Sequence, residues 1–384
     1  MRSRTVSVCV VVVAALFSYA VCEAAATAYS RLAPTGSLWL FEESGRTIHF
    51  DPVRGYRLTT TPSRWMRITN GVMEYVGVLK GNKQGFPSKN DFLAAEFSGE
   101  TQRIAVFGDS FTAGEYLTTN WPDRLQDRMD GYQFLNFSVD GAGLANWWSI
   151  VTRHIANTDY QIDAAVFAVF PGNLERKFSV SEHRGYQYHM FGRCPSWDPS
   201  TYPESLREAE ECLQEVRDSR IVSTLEFDRA LQGDWPDIPP PPLRPVIAST
   251  VLRLARRSIS VVPKNVPSEG FEPGQEKLME DLGGFFAARH IPVMVVHIPS
   301  REELLGHPKD AFLRDSEQFS SKLMSAFVDG SHAFSELSAE EIRQSFFPYD
   351  SHWNQSGSDR FAAFLESEVR TRFRAPEPPA NPGY

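Results

Sequence analysis

A three-layer α/β sandwich, built on a mostly parallel sheet of about five strands, is the fold class this 384-residue sequence predicts. Three observations carry it. Continuous apolar runs recur at 103–107, 132–139, 164–170 and 291–298, with a weaker one at 326–329. Stretches of helical periodicity lie between them, and a Gly-containing turn ends the first run. Strands that are apolar on both faces need helices above and below, the signature of a parallel sheet. In such sheets ligands sit outside the carboxyl ends of the strands.

Asn120 is placed to cap a helix over 121–129, and 144–156 carries Trp147, Trp148, Ile150, Val151 and Ile155 at helical spacing. Residues 276–288 and 316–327 show similar periodicity. The last helix, over 356–373, aligns Phe361, Phe364, Leu365, Val369 and Phe373 on one stripe. Residues 27–100 are polar and aromatic, with strand-like pieces at 38–41, 56–58 and 73–79, and read as an irregular N-terminal segment packed on the main domain. The main domain then spans 101–374, and the proline-rich stretch 375–384 reads as an unfolded tail.

The stretch 179–266 breaks the rhythm and is expected to hold no strand of the sheet. It contains an aromatic loop (Tyr186, Tyr188, His189, Phe191), an acidic helix around 204–218, a proline run at 239–242 and a basic helix around 246–262. An insertion at the carboxyl edge of a sheet suits a lid or a specificity loop. The basic helix sets Arg253, Arg256 and Arg257 opposite Ile247, Val251, Leu254 and Ala255. It can lie on a membrane surface, or pack its apolar face on the core with the arginines in solvent.

The first residues point out of the cytoplasm. A basic start, Met1-Arg2-Ser3-Arg4, precedes an apolar run over 6–21, and Ala24-x-Ala26 follows as a small-residue cleavage signal. The run is shorter than the roughly 20 residues of a membrane span. Residues 1–26 therefore read as a secretory signal peptide or, alternatively, an uncleaved signal anchor that tethers the protein to the membrane. Either predicts a periplasmic or extracellular protein. Of four cysteines, Cys9 and Cys22 fall in this leader, leaving Cys194 and Cys212 as a disulfide pair in an oxidising compartment. No CxxC or Cys/His cluster suggests a metal, and no cofactor is expected. The net charge of −9 argues against a nucleic-acid partner.

The chemistry is concentrated at two distant places. Phe107-Gly108-Asp109-Ser110-Phe111 closes the first apolar run, where a tight turn can present a hydroxyl at a strand tip. Asp350-Ser351-His352-Trp353-Asn354 lies just before the last helix. Singly, each has a plainer reading: a capping turn for the first, a surface pair or a cap for the second. Together they supply a nucleophile, Ser110, a base, His352, and an orienting acid, Asp350.

The combination resembles the SGNH (GDSL-type) hydrolases over residues 103–373. The family's second block is similar to Asn136-Phe137-Ser138-Val139-Asp140-Gly141, and its third to Phe170-Pro171-Gly172-Asn173. The resemblance implies a flavodoxin-like sandwich and an oxyanion hole made by the Ser110 amide, Gly141 and Asn173, with Gly143 as the alternative glycine and Asp109 only shaping the turn. Leu174 stands where the family commonly has Asp. The acid-to-base spacing is one residue shorter than usual, which together with Trp353-Asn354 resembles an exported branch containing polysaccharide acetyl-transfer proteins. Residues 55–58 resemble leaders of membrane-anchored members. The implied activity is hydrolysis of acyl esters, acetyl above all, on an acylated carbohydrate or small ester. An O-acyltransferase using the same triad and a non-catalytic glycan-binding envelope protein are the alternatives.

Overall fold

The computed structural model describes residues 18–25, 28, 37–42, 48–51, 53–92, 101–176, 181–183, 186–188, 221–235, 271, 273–306 and 310–373. Cys194, Cys212, the acidic helix at 204–218, the basic helix at 246–262 and the tail lie outside them. Among the described residues no helix is long and apolar enough to cross a membrane.

The chain divides into two compact units. One comprises Met1–Trp39, Arg67–Met73 and Arg229–Phe271; in it, Asn70 and Gly71 take left-handed φ of 51° and 75°, the mirror-image turn that suits a hairpin. The other comprises Leu40–Met66, Glu74–Asp228 and Glu272–Tyr384 and holds the main sheet.

That sheet contains β1 (Gln102–Phe107), β2 (Tyr132–Asn136), β3 (Ala164–Val169), β4 (Val293–His297) and β5 (Ala326–Asp329). Its order is β2-β1-β3-β4-β5, parallel throughout. This is the flavodoxin-like order, and the strand sequence reverses direction between β1 and β3. Helices in this unit include α1 (Ser110–Ala113), α2 (Trp121–Arg128), α3 (Leu144–Ser149), α4 (Pro273–Ala287), α5 (Asp310–Lys322) and α6 (Gln355–Arg372). On one face, Phe107 and Phe167 sit side by side in register and stack at 4.6 Å. Phe286 of α4 and Phe319 of α5 meet Phe167 edge-on at 5.8 and 5.6 Å, and Trp147 of α3 joins them at 5.7 Å. On the other face, Trp121 of α2 packs on Phe361 of α6. All of these rings are buried. Helices on both faces make the predicted sandwich.

Local differences have physical causes. Regular helix over 144–156 stops at Ser149, and Ile150–His154 continues as a π turn. Three β-branched residues crowd there, and the Thr152 hydroxyl donates to the Trp148 carbonyl, which widens the ladder. The helix expected over 316–327 runs Asp310–Lys322, and Met324, at φ 49°, turns the chain into β5. The N-terminal segment is more regular than expected. Strands Ser37–Glu42, Ser63–Thr69 and Val72–Leu79 join one sheet, and Ile48–Asp51 pairs with Gly55–Leu58. The insertion does contain strands: a hairpin of Ser181–His183 with Tyr186–Tyr188, and Ile221–Val222 running parallel to Phe41-Glu42. None joins the five-stranded sheet, and pieces of two or three residues leave no alternation to read.

Candidate active site

Ser110 is held by the turn after β1. Asp109 caps α1, its Oδ1 accepting from the Phe111 N–H at 3.0 Å. The same fully buried carboxylate receives, on Oδ2, the Asn173 amide and the Arg176 guanidinium, each at 2.9 Å. An acid with every oxygen engaged in fixing the backbone shapes the turn, the role expected of it. The β2 turn is tied to the same place, since the Val139 N–H donates to the Gly108 carbonyl.

The base arrives on the loop before α6. Phe346 and Trp353 form an antiparallel bridge, and the Phe347 N–H donates to the His352 carbonyl at 3.0 Å. Trp353 is fully buried against Phe361 at 4.8 Å, and Asn354 caps α6 through the Ser356 and Gly357 amides. The loop therefore has little freedom. The His352 ring lies between Phe111 and Tyr116, each 4.7 Å away centre to centre. Its Nε2 is 2.6 Å from Ser110 Oγ, and its Nδ1 is 2.5 Å from Asp350 Oδ1. A carboxylate can only accept, so the proton of neutral His352 belongs on Nδ1 and Nε2 is left to accept from Ser110.

The short Asp-x-His spacing has its own geometry. Asp350 Oδ1 accepts both the His352 ring and the His352 backbone N–H, the latter at 3.2 Å. One carboxylate oxygen thus fixes the backbone and the ring of the same residue. The Asp350 side chain is 7% exposed and that of His352 22%, so the acid is sheltered and the base reaches the surface.

The resemblance named three oxyanion donors, and the structure treats them differently. Gly141, at φ 71°, turns the chain after Asp140. Its N–H and that of Ser110 have no acceptor among the described residues. Gly143 differs: its N–H donates to Asn146 Oδ1, and a Cβ there would lie 2.2 Å from the Asn173 carbonyl oxygen. Its lack of a side chain serves close packing. Asn173 is fully buried, its Oδ1 accepts from the Phe170 N–H, and its two amide hydrogens go to Asp109 Oδ2 and the Ala142 carbonyl. Serving an oxyanion would require Asn173 to give up the hydrogen now donated to Ala142. The Ser110 and Gly141 N–H groups are unengaged among the described residues, and the Asn173 amide is occupied in bracing the turn.

Sequence reasoning missed a second carboxyl cluster beside the nucleophile. Asp140 lies near enough to Ser110 and His352 for both to act on its carboxyl. Its backbone N–H donates to the Tyr56 hydroxyl at 3.0 Å, and that hydroxyl donates to Glu115 Oε1 at 2.6 Å. Burial, with the Asp140 charge adding to it, pushes the Glu115 carboxyl up to about 8. Burial also raises Asp140, the His352 ring pulling against it and the Asp109 charge adding to it. The only sequence signal was position: Asp140 stands in the second motif and Glu115 five residues past Ser110. No group of His, Cys, Asp and Glu among the described residues could hold a metal ion.

No family model matches the chain, and no curated protein matches it by sequence. Solved structures similar to it include a Bacillus subtilis protein, YXIM, at 12% identity over 89% of this chain and 76% of that one, TM-score 0.40. A member of the lipolytic G-D-S-L family from Veillonella parvula has 14% identity over 71% and 100% of the two chains, TM-score 0.32. A catalytic mutant of the acetylxylan esterase Axe2 from Geobacillus stearothermophilus has 10% identity over 71% and 94%, TM-score 0.35. What the site can do is read from its own geometry.

Proposed function

We propose that the protein is a serine esterase that cleaves acyl esters through an acyl-serine intermediate. The observation that carries this is the unbroken chain of hydrogen bonds from Ser110 Oγ through the His352 ring to Asp350, at 2.6 and 2.5 Å. A serine hydroxyl is a poor nucleophile until a positioned base takes its proton. As Oγ attacks the ester carbonyl, its proton passes to His352 Nε2, and Asp350 stabilises the imidazolium through Nδ1. The carbonyl oxygen gains charge and is met by the Ser110 and Gly141 N–H groups, each such donor being worth about 3 kcal/mol of barrier. The C–O bond to the leaving alcohol breaks as His352 returns the proton to it. Water then enters by the same route in reverse and releases the acid.

Acetyl esters of carbohydrate are the proposed substrates, and the support is the motif resemblance to the exported acetyl-transfer branch. Export is part of the proposal and rests on the basic start and the apolar run at 6–21. The second reading is transfer of the acyl group to a sugar hydroxyl from the same acyl-serine, and no residue identity separates it from hydrolysis.

A fluorophosphonate probe and a small activated acetyl ester test the enzyme. Wild type should be labelled and turn the ester over, and Ser110→Ala should do neither. Folded wild type that stays unlabelled ends the reading. With an acyl donor and a glycan present together, release of free acid at every acceptor concentration would decide for hydrolysis over transfer.

A further inference from the structure

The carboxylate that orients His352 is itself held by a strand outside the α/β core. Glu74 and Tyr75 are neighbours on the strand Val72–Leu79, and their side chains reach the same loop. Glu74 Oε1 accepts two successive backbone N–H groups, those of Tyr349 at 2.8 Å and Asp350 at 2.9 Å. The Tyr75 hydroxyl donates to Asp350 Oδ2 at 3.4 Å, the oxygen that does not face His352. Tyr75 is buried and wedged among rings, with Phe347 at 4.8 Å, Trp65 at 5.3 Å and Tyr116 at 5.7 Å. Tyr116 in turn covers one face of His352.

We infer that Glu74 and Tyr75 are positioning residues for the catalytic acid, and that the strand carrying them is a working part of the active site. This rests on the serine-esterase reading above. Asp350 reaches both the ring and the backbone of His352 across a spacing of two residues, so a small rotation of its carboxylate would break the contact. Two outside supports prevent that rotation. Glu74 fixes the backbone on which Asp350 stands, and Tyr75 fixes the far oxygen and draws some of its charge. Neither touches the space beside Ser110 Oγ, so neither is a catalytic residue.

The test uses the full chain and a small activated acetyl ester, with folding checked by thermal melting. Glu74→Ala should lower kcat by about tenfold with KM nearly unchanged. Glu74→Gln keeps an acceptor oxygen for both N–H groups and should restore most of the loss. Tyr75→Phe leaves the packing and removes the donor. The charged and titrating groups around the Asp350–His352 pair include Glu74, Asp140, Ser110, Tyr116 over the His352 ring and Arg301 on the Phe347 and Pro348 carbonyls, and none of these is altered by that change. Asp350 then holds its charge more fully against the imidazolium, and the acidic limb of kcat/KM should move to higher pH by about half a unit. The inference is overturned if folded Glu74→Ala matches wild type in kcat, if Glu74→Gln is as impaired as Glu74→Ala, or if Tyr75→Phe leaves the limb in place. An unlabelled, inactive wild type overturns the esterase reading itself, which separates the two failures.

Discussion

The side-chain amide of Asn173 donates to Asp109 Oδ2 at 2.9 Å, and both residues are fully buried beneath the nucleophile turn. With Arg176 Nη1 on the same oxygen, the carboxylate joins the ends of β1 and β3 at the point where the strand order reverses. Asp109→Asn would set an amide donor against two other donors and take the carboxylate charge away from the Arg176 guanidinium. The expected cost is about 3 kcal/mol of stability, read by urea denaturation, with loss of esterase activity. An unchanged urea midpoint would contradict the bracing role.

Asp350→Asn tests the orienting acid. The amide cannot hold the Nδ1–H tautomer as a carboxylate does, so kcat should fall about a thousandfold or more while the fold persists. Steady-state kinetics at matched folded concentration decide it, and a loss of only a few fold would remove Asp350 from the triad.

Gly141, which closes the second motif, and Gly143, two residues beyond it, should separate cleanly. Gly143→Ala drives a Cβ to 2.2 Å from the Asn173 carbonyl, where backbone has to move. Gly141→Ala meets the ordinary strain of a left-handed residue, about 1 kcal/mol. Melting temperatures should therefore fall further for Gly143→Ala. On the esterase reading, Gly141→Ala, which disturbs a proposed oxyanion donor, should show its effect mainly in kcat.

Glu115 makes stability depend on pH with a definite sign. Its carboxyl titrates near 8 in the folded chain against 4.5 for the ordinary group, so the folded state holds the extra proton. Stability from this group is present in full below about pH 4.5 and is lost as pH rises toward and through 8. Glu115→Gln keeps an acceptor for the Tyr56 hydroxyl and removes the titration. Between pH 5 and 8.5 its melting temperature should decline less than that of wild type. Parallel declines would show that Glu115 is not the group responsible.

Much of this was legible in the chain because the signals were strong and local. The central strands are runs apolar on both faces, and the stripe through Phe361, Leu365 and Val369 is buried as its spacing requires. Ser110 and His352 could be found because each stands in a turn with a characteristic neighbour. Arg103 shows where reading stops. It opens an apolar strand yet is fully buried, its guanidinium held by Gln133 and by the Tyr160 carbonyl. The Tyr56–Glu115–Asp140 cluster was illegible for the same reason. Polar residues betray burial only through partners, and here those partners lie 59 and 84 positions apart. Asn173 carried the opposite lesson, since its motif was visible while the destination of its hydrogens was not.

Ser110 and His352 are separated by 242 positions, and Asp350 by 275 from the tyrosine that steadies it. Such contacts close late, because long loops lose the most entropy on closing. Recovery of activity after denaturation should therefore lag the return of helix signal and report the last step of folding. The same separation bears on synthesis. A ribosome-bound chain can build β1, β2 and β3 and their helices, yet it has no base until residue 352 has emerged. On the esterase reading, Ser110 thus has no base to activate it until the loop carrying His352 has been made, which follows from the order of the residues along the chain.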